Sequence, residues 1–531
     1  MNMKQSTKKV NQNTQKAQSK ESAKSQSKKP SQKAKTNQPK FFTPTRKAKM
    51  VNFFKHFLII TQGVASLLFL TSIFSLNIID LGLLILLIGV FAALLALTTI
   101  KLLKQQSSLS TKIICALISF ATIVAALAAF RYTDAANSFL NKITEKSPEF
   151  KEYSVLVLKN SDIKGVNQLK DQSIGFLRTD PDLNQATAEL KNVINFTPDL
   201  KDTIDTISTA LTTEQLSAIV LESSRYDALA EDEFPITKIT NIIYRFSIKL
   251  AVAEDDTSKD FDPTTEPFII YISGSDSRTG IKSTARSDVN ILTVVNPTTH
   301  KILLVSIPRD FYVQLHSTTG LKDKLTHAGI YGINMSKSTI EDLLDIKINY
   351  TVKVGFETVI KIVDQLDGID INSDQAMSLR IADGSITNPN KICTYTVGVQ
   401  HVDGDCALRF ARERKSYTTG DRHRGENQQQ VITAIINKLT AEKSYLTKLP
   451  DILNATANSF ETSLPRDNIT ALIRHQLNSG KPWTVESISV DGAGSMQPTY
   501  SMGSNLPLYV MLPDQASLDI AKQQIDIYLA K

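Results

Sequence analysis

Six cations crowd into RFARERKSYTTGDRHRGENQQQ, residues 409–430: arginine or lysine at 409, 412, 414, 415, 422 and 424, against acids at 413, 421 and 426. A guanidinium fork matches two oxygens of a phosphate or carboxylate at once, so this set suits one multiply charged anion. GDRHRGENQQQVITAIINKL reads as a helix with Asp421 as its N-cap. That helix places Asp421, Arg424, Gln428, Val431 and Ile435 on one face, polar at its start and apolar later. Arg412 and Arg414 diverge on a helix but point together on extended chain, so the preceding helix should have ended by Arg412. A solvated basic face accounts for the same charge run without any ligand; the amide at Gln428 weighs against it.

A second charged group comes from strands. VNILTVVN (289–296) and KILLVSI (301–307), joined by PTTH, read as a β-hairpin. Pairing Asn296 with Lys301 sets Asp288 opposite Arg309 at the open end. If FIIYIS, which ends just before Asp276, lies antiparallel beside the 289 strand, Asp276 reaches that same end. The plainer account is a surface ion pair contributing ~0 to 1 kcal/mol, with Asp276 unrelated.

The elements that must carry these residues are unevenly charged. The chain has 531 residues, enough for two to four domains, and a net charge of +7. Residues 1–50 hold 14 Lys or Arg and one acid, residues 51–131 hold five bases and one acid, and residues 132–531 are left at −10. The basic total is therefore no argument for nucleic-acid binding. Residues 1–52, rich in Lys, Gln, Ser, Thr and Asn, are expected to be a disordered cytoplasmic tail. Three apolar runs within 53–131 each approach the ~20 residues that span ~30 Å of hydrocarbon as a helix. The basic tail and Lys101, Lys104 and Lys112 fall on one face if all three cross, so everything after Arg131 is expected outside the cell. No Walker-A loop, G-x-G-x-x-G, H-E-x-x-H or G-x-S-x-G pattern is present.

Residues 132–250 read as a small α/β accessory domain: YSVLVL, SIGFLR, SAIVLE and IIYRFSIKL as strands, with one long helical pattern through 183–215. An acidic linker, 251–265, leads to a second α/β domain over 266–531. Cys115 sits in the third apolar run. Cys393 and Cys406 flank an expected strand in the part expected outside the cell, where either a disulfide that closes a short loop, contributing ~3 kcal/mol in the entropic account, or two free buried thiols would fit.

The strings GSDSR (274–278), RSDV (286–289), SIPRDFYV (306–313), KLTHAGIYG (324–332), VGFETVIKIVDQLDGIDI (354–371) and HVDGDCALRFARER…GDRHRGENQQQ, in that order and spacing, resemble the LytR-CpsA-Psr family. The three spans and the segment YSVLVLKNSDIKGVNQLKDQSIGFL are similar to its streptococcal capsule-type members. The resemblance implies a membrane-anchored α/β protein: an extracytoplasmic α/β/α sandwich, preceded by the accessory domain, that holds a polyprenyl pyrophosphate. It also implies an enzyme that moves a glycopolymer phosphate onto peptidoglycan, with pyrophosphatase as a side activity.

By the same resemblance Asp276 and Asp288 would hold Mg²⁺ or Mn²⁺, and Arg309, Arg412, Arg414 and Arg424, with Gln428, would clamp the phosphates. Asp421 would position an arginine; Arg278, Arg286 and Lys324 are further substrate-binding candidates. A carboxylate near the metal is the expected proton acceptor. The lipid tail needs an apolar slot, for which the later, apolar face of the 421–440 helix is a candidate, with ordinary core packing the expected role for most of that face. Partners implied are the polyprenyl-pyrophosphate-linked glycan, a peptidoglycan acceptor and membrane lipid, and no nucleic acid. Asn427 departs from the family pattern, where many relatives have a second arginine, and a weakened peripheral contact is expected there. Two other classes fit the residues less well: a receptor that binds the same pyrophosphate without turnover, and a membrane-tethered regulator, for which the tail supplies no DNA-reading module. The polymer itself, whether capsule or teichoic acid, is not named by the sequence.

Overall fold

The computed structural model describes residues 46–104, 107–145, 148–250, 261–275, 280–380, 391–441, 455–503 and 507–530. The expected tail therefore lies almost wholly outside the described residues, as does most of the acidic linker. Three helices are long and apolar enough to cross a membrane: α1 (Arg46–Leu76), α2 (Leu81–Leu103) and α3 (Leu109–Thr144). Asp80 caps α2 by accepting from the Gly82 amide. Inside the bundle the Gln62 side-chain carbonyl accepts from Thr98 Oγ1 at 2.7 Å and Ser119 Oγ at 3.0 Å. One amide thus ties three helices where lipid supplies no hydrophobic drive for packing.

The third helix does not give way to the accessory domain near Arg131 but continues to Thr144. Its extension, Phe139, Leu140 and Ile143, packs on Ala457, Phe460 and Ile469. Arg466 donates to Asn141 at 2.7 Å, to Asn137 at 2.5 Å and to the Ser75 carbonyl at 3.3 Å. These contacts seat the large domain on the ends of the helices.

The accessory region is a five-stranded mixed sheet in the order β3-β2-β4-β1-β5. Its strands are β1 (Phe150–Leu158), β2 (Ser173–Leu177), β3 (Thr197–Lys201), β4 (Ala218–Glu222) and β5 (Thr240–Lys249). The helical pattern read through 183–215 is two helices, α4 (Leu183–Lys191) and α5 (Ile204–Thr212), with edge strand β3 between them. Pro198 explains the break: it lacks an N–H for a helix but is tolerated on an edge strand. Tyr153, Val155 and Val157 face one core, with Ala186 and Leu190 of α4. Leu156, Ile219 and Leu221 face another, with α5 and α6 (Ser223–Glu231). That second core also takes in Ile330, Met502 and Leu508 from the large domain, so α6 is packed against residues of both regions.

The large domain is built on a six-stranded sheet in the order β10-β9-β6-β7-β8-β11. Its strands are β6 (Phe268–Ser275), β7 (Val289–Asn296), β8 (Lys301–Ser306), β9 (Tyr350–Gly355), β10 (Phe460–Thr462) and β11 (Thr484–Ser489). Alternation of side chains divides two cores. Ile269, Tyr271, Leu292, Val294, Leu303 and Val305 meet Ile340 and Leu344 of α7 (Ile333–Leu344) on one face, with Leu518 and Ile525 of the C-terminal helix, residues 515–529. Phe268, Ile291, Val295, Ile302 and Leu304 meet Ile432, Ile436, Ile469 and Leu472 on the other. Helices thus cover both faces, an α/β/α sandwich.

Two further helices matter for the site, α8 (Phe356–Gln365) and α9 (Gly404–Ala411), before α10 (Asp421–Ala441) crosses the sheet. A Cβ on Gly425 would lie 2.6 Å from Ser306 Oγ, so glycine there allows α10 to approach the end of β8. Gln429 Nε2 then donates to the Leu304 and Ile488 carbonyls at 3.2 and 2.6 Å, fixing the helix over β8 and β11. Cys393 and Cys406 are disulfide-bonded, their Cα atoms 5.5 Å apart, which ties the strand over Ile392–Tyr395 to α9. Cys115 is a free, buried thiol.

Candidate functional site

The hairpin β7–β8 pairs Asn296 with Lys301 and Ile291 with Ser306, and the same register carries Asp288 to Arg309. There Arg309 Nη1 donates to Asp288 Oδ1 at 2.7 Å. β6 runs antiparallel beside β7 and pairs Gly274 with Val289, but Asp276 and Arg278 lie outside the described residues.

Asp288, Arg286, Arg309, Arg412, Arg414, Arg424 and Gln428 line one cavity of about 570 Å³, together with Phe356 and, from α6, Asp227, Ala230 and Glu231. α9 ends at Ala411 and Arg412 follows as its C-cap, so the chain has left the helix by Arg412. The Arg412 guanidinium lies over the Phe356 ring, 4.5 Å from its centre, at the start of α8. Asp421 opens the first turn of α10 instead of capping it from outside. It forms an ion pair with Arg424 one turn on. Lys324 does not line this cavity; its ammonium sits 3.2 Å from Asp232 and 3.7 Å from Asp310. Asn427, expected at a peripheral contact, is fully buried and donates to the Phe410 carbonyl at 3.1 Å, so it holds α10 against α9. Val431 packs into the core beneath α9, an ordinary structural role. A second cavity of about 650 Å³ runs along Gln430, Thr433, Ala434 and Asn437 of the later part of α10 to Val485 and Ile488 of β11.

The electrostatics of the first cavity follow from burial and mutual charge. Burial opposes the charge on Asp288, but Arg309, Arg286 and Arg424 outweigh it and hold the carboxyl below its usual range. Burial pushes Asp421 upward, against the pull of Arg424. Burial likewise lowers Arg424, so this pair is held together at the expense of both hydrations. Asp288 stays ionised and offers hard oxygen donors of the kind Mg²⁺ takes. No cluster of three or more His, Cys, Asp or Glu side chains suited to a metal occurs among the described residues.

The sequence reading missed Glu231, Asp227 and Phe356. Glu231 Oε1 accepts from Arg309 Nη2 at 2.6 Å, and Oε2 from Arg286 Nη1. The available signal was the acidic run AEDE at the end of a helix, residues 230–233, where carboxylates oppose the helix dipole and need cations from elsewhere.

The LytR_cpsA_psr family model matches residues 238–515. The chain belongs to this family. Over 205 residues it is 37% identical to a polyisoprenyl-teichoic acid–peptidoglycan teichoic acid transferase, TagU, of Bacillus subtilis, covering 38% of this chain and 62% of that protein. Over 260 residues it is 32% identical to the TagU of Bacillus mycoides, covering 49% of this chain and 78% of that one. The crystal structure of B. subtilis TagU aligns with 50% of this chain and 98% of its own at 30% identity, with a TM-score of 0.37 that carries no weight here. The match covers the six-stranded sheet and the whole arginine segment; β1 to β4 of the accessory sheet precede it.

Proposed function

We propose that this LytR_cpsA_psr member is a glycopolymer phosphotransferase acting outside the membrane. The observation that carries the reading is the cavity itself: guanidinium groups from Arg286, Arg309, Arg412, Arg414 and Arg424 surround one space with the ionised Asp288. Five arginines from three separate stretches of chain meet there against three lining carboxylates, Asp227, Glu231 and Asp288, so the cavity keeps a positive excess that suits an anion. The relatives named as teichoic acid transferases support a carrier-linked glycan as donor and peptidoglycan as acceptor.

In the reaction, a peptidoglycan hydroxyl attacks the phosphorus that bears the glycan. A new P–O bond forms, the bridging P–O–P bond breaks, and its electron pair leaves on polyprenyl phosphate. The hydroxyl proton is released, and no redox change occurs. Negative charge grows on the departing phosphate, and the arginines fixed around it stabilise that charge without having to reorganise. Arg412 is held in place by Phe356 and Arg424 by Asp421. Asp288, with Asp276, would hold Mg²⁺, which supplies further charge neutralisation at the pyrophosphate oxygens. The basic N-terminal segment and Lys101, Lys104 and Lys112 support an orientation with the N-terminus in the cytoplasm and the pocket outside.

The test is to incubate the full chain in detergent micelles with Mg²⁺, a polyprenyl-pyrophosphate glycan and peptidoglycan fragments, and to look for polymer attached to the fragments. Asp288→Ala should abolish attachment. If the wild-type chain binds the donor but attaches nothing, it is a receptor and the proposal fails.

A further inference from the structure

The accessory region has no part in the reaction as derived above, yet its helix α6 ends inside the pocket. Glu231, the last residue of α6, lies 78 positions before Arg309 and splits its two oxygens between Arg309 and Arg286. The next residue, Asp232, pairs with Lys324. α6 has no basic residue in its last turn, so these carboxylates gain nothing from their own helix, whose C-terminus repels them. Their partners all come from the large domain. The pairs are not ordinary surface bridges either: the side chains of Arg309 and Arg286 are 10% and 19% exposed, and that of Glu231 is 32% exposed.

We propose that Glu231 is a positioning residue of the phosphate site, through which the accessory region holds Arg309 and Arg286 side by side against their mutual repulsion. The proposal rests on the function given above. A guanidinium has five N–H donors. Glu231 and Asp288 each engage a different terminal nitrogen of Arg309, which leaves further donors on both for a phosphate. The carboxylate therefore fixes where the forks stand without using them up. It is poorly suited to take the proton of the acceptor hydroxyl: both oxygens already accept from arginine, and although burial pushes its pKa up, Arg309 and Arg286 bring it down to about 2. The accessory region thus becomes a wall of the site and no mere spacer, held there by the apolar core that α6 shares with Ile330, Met502 and Leu508.

The experiment uses the full chain in detergent micelles, with inorganic pyrophosphate as the binding probe and the lipid-linked glycan as kinetic substrate. Glu231→Gln, which keeps the shape and removes the charge, should weaken pyrophosphate binding and raise KM for the donor by about tenfold, the size expected of outer partners that orient binding groups. kcat should change by far less. Glu231→Asp, which keeps the charge, should recover part of the loss, and in an Arg286→Gln background the effect of Glu231→Gln should shrink. Tighter pyrophosphate binding by Glu231→Gln would overturn the proposal, because Glu231 would then be a competitor for the site. A fall in kcat at constant KM would overturn it as well, as would unchanged binding. If Glu231→Gln does not fold, Glu231→Asp decides on the same KM and binding readouts, with wild-type values counting against the proposal. A wild-type chain that binds no pyrophosphate refutes the function itself and this inference with it; wild-type binding that Arg424→Ala abolishes and Glu231→Gln leaves alone refutes only the inference.

Discussion

The two walls of the pocket are held in different ways. On the α10 side the supports are local or stacked: Asp421 holds Arg424 one turn away, and Phe356 lies under Arg412. On the strand side the supports are remote carboxylates, Asp288 for Arg309 across the hairpin and Glu231 for Arg309 and Arg286 from the end of α6 in the accessory region. The strand wall therefore couples the site to the seating of two folded regions, whereas the helix wall depends mostly on α9 and α10.

That difference sets the predictions. Arg309→Ala should cost on the order of 10² to 10³ in transfer rate and also lower the melting midpoint, since it leaves two part-buried carboxylates without their shared cation. Arg424→Ala should cost a similar factor in rate; full activity in either variant would show that only one wall meets the substrate. Replacing Cys393 and Cys406 by serine should cost about 3 kcal/mol by the loop-closure account, read as a lower midpoint in denaturant. The donor KM should rise with it as α9 loosens beneath Arg412. Phe356→Ala removes a cation–π contact of about 1 kcal/mol, so donor affinity should fall roughly fivefold with the fold intact. A loss as large as that of Arg309→Ala would mean the helix wall relies on this ring far more than its geometry indicates.

The smallest expected effect is a pH dependence. The Glu231 carboxyl is lowered in the folded chain from 4.5 to about 2, because Arg309 and Arg286 outweigh burial. The folded state therefore binds this proton less readily than the unfolded one. The stability it contributes is present above pH 4.5 and is lost as pH falls towards about 2. Wild-type melting midpoints should drop more steeply than those of Glu231→Gln across that window, and parallel profiles would leave the strand wall without this support.

Much of this was open to sequence reasoning wherever the relevant contact is local or periodic. The short PTTH loop set the β7–β8 register, which put Asp288 opposite Arg309, and helical spacing put Arg424 and Gln428 on one face. The reading of 183–215 as one helix failed because the chain after α4 pairs as an edge strand, Thr197–Lys201, where Pro198 is tolerated, and strand pairing, not local propensity, decides that choice. Asn427 was misjudged because burial depends on what α10 packs against.

By itself the sequence determined the three apolar helices, the acidic balance of residues 132–531, the hairpin and the concentration of arginine in one segment, since each follows from composition, from a short loop or from a period of 2 or 3.6 residues. Tertiary structure alone decided that α6 reaches the pocket and that Glu231 meets Arg309 and Arg286 there. A contact across 78 positions has no period to announce it. It exists because α6 shares one apolar core with Ile330, Met502 and Leu508 of the large domain, and that sharing fixes where a helix end must point.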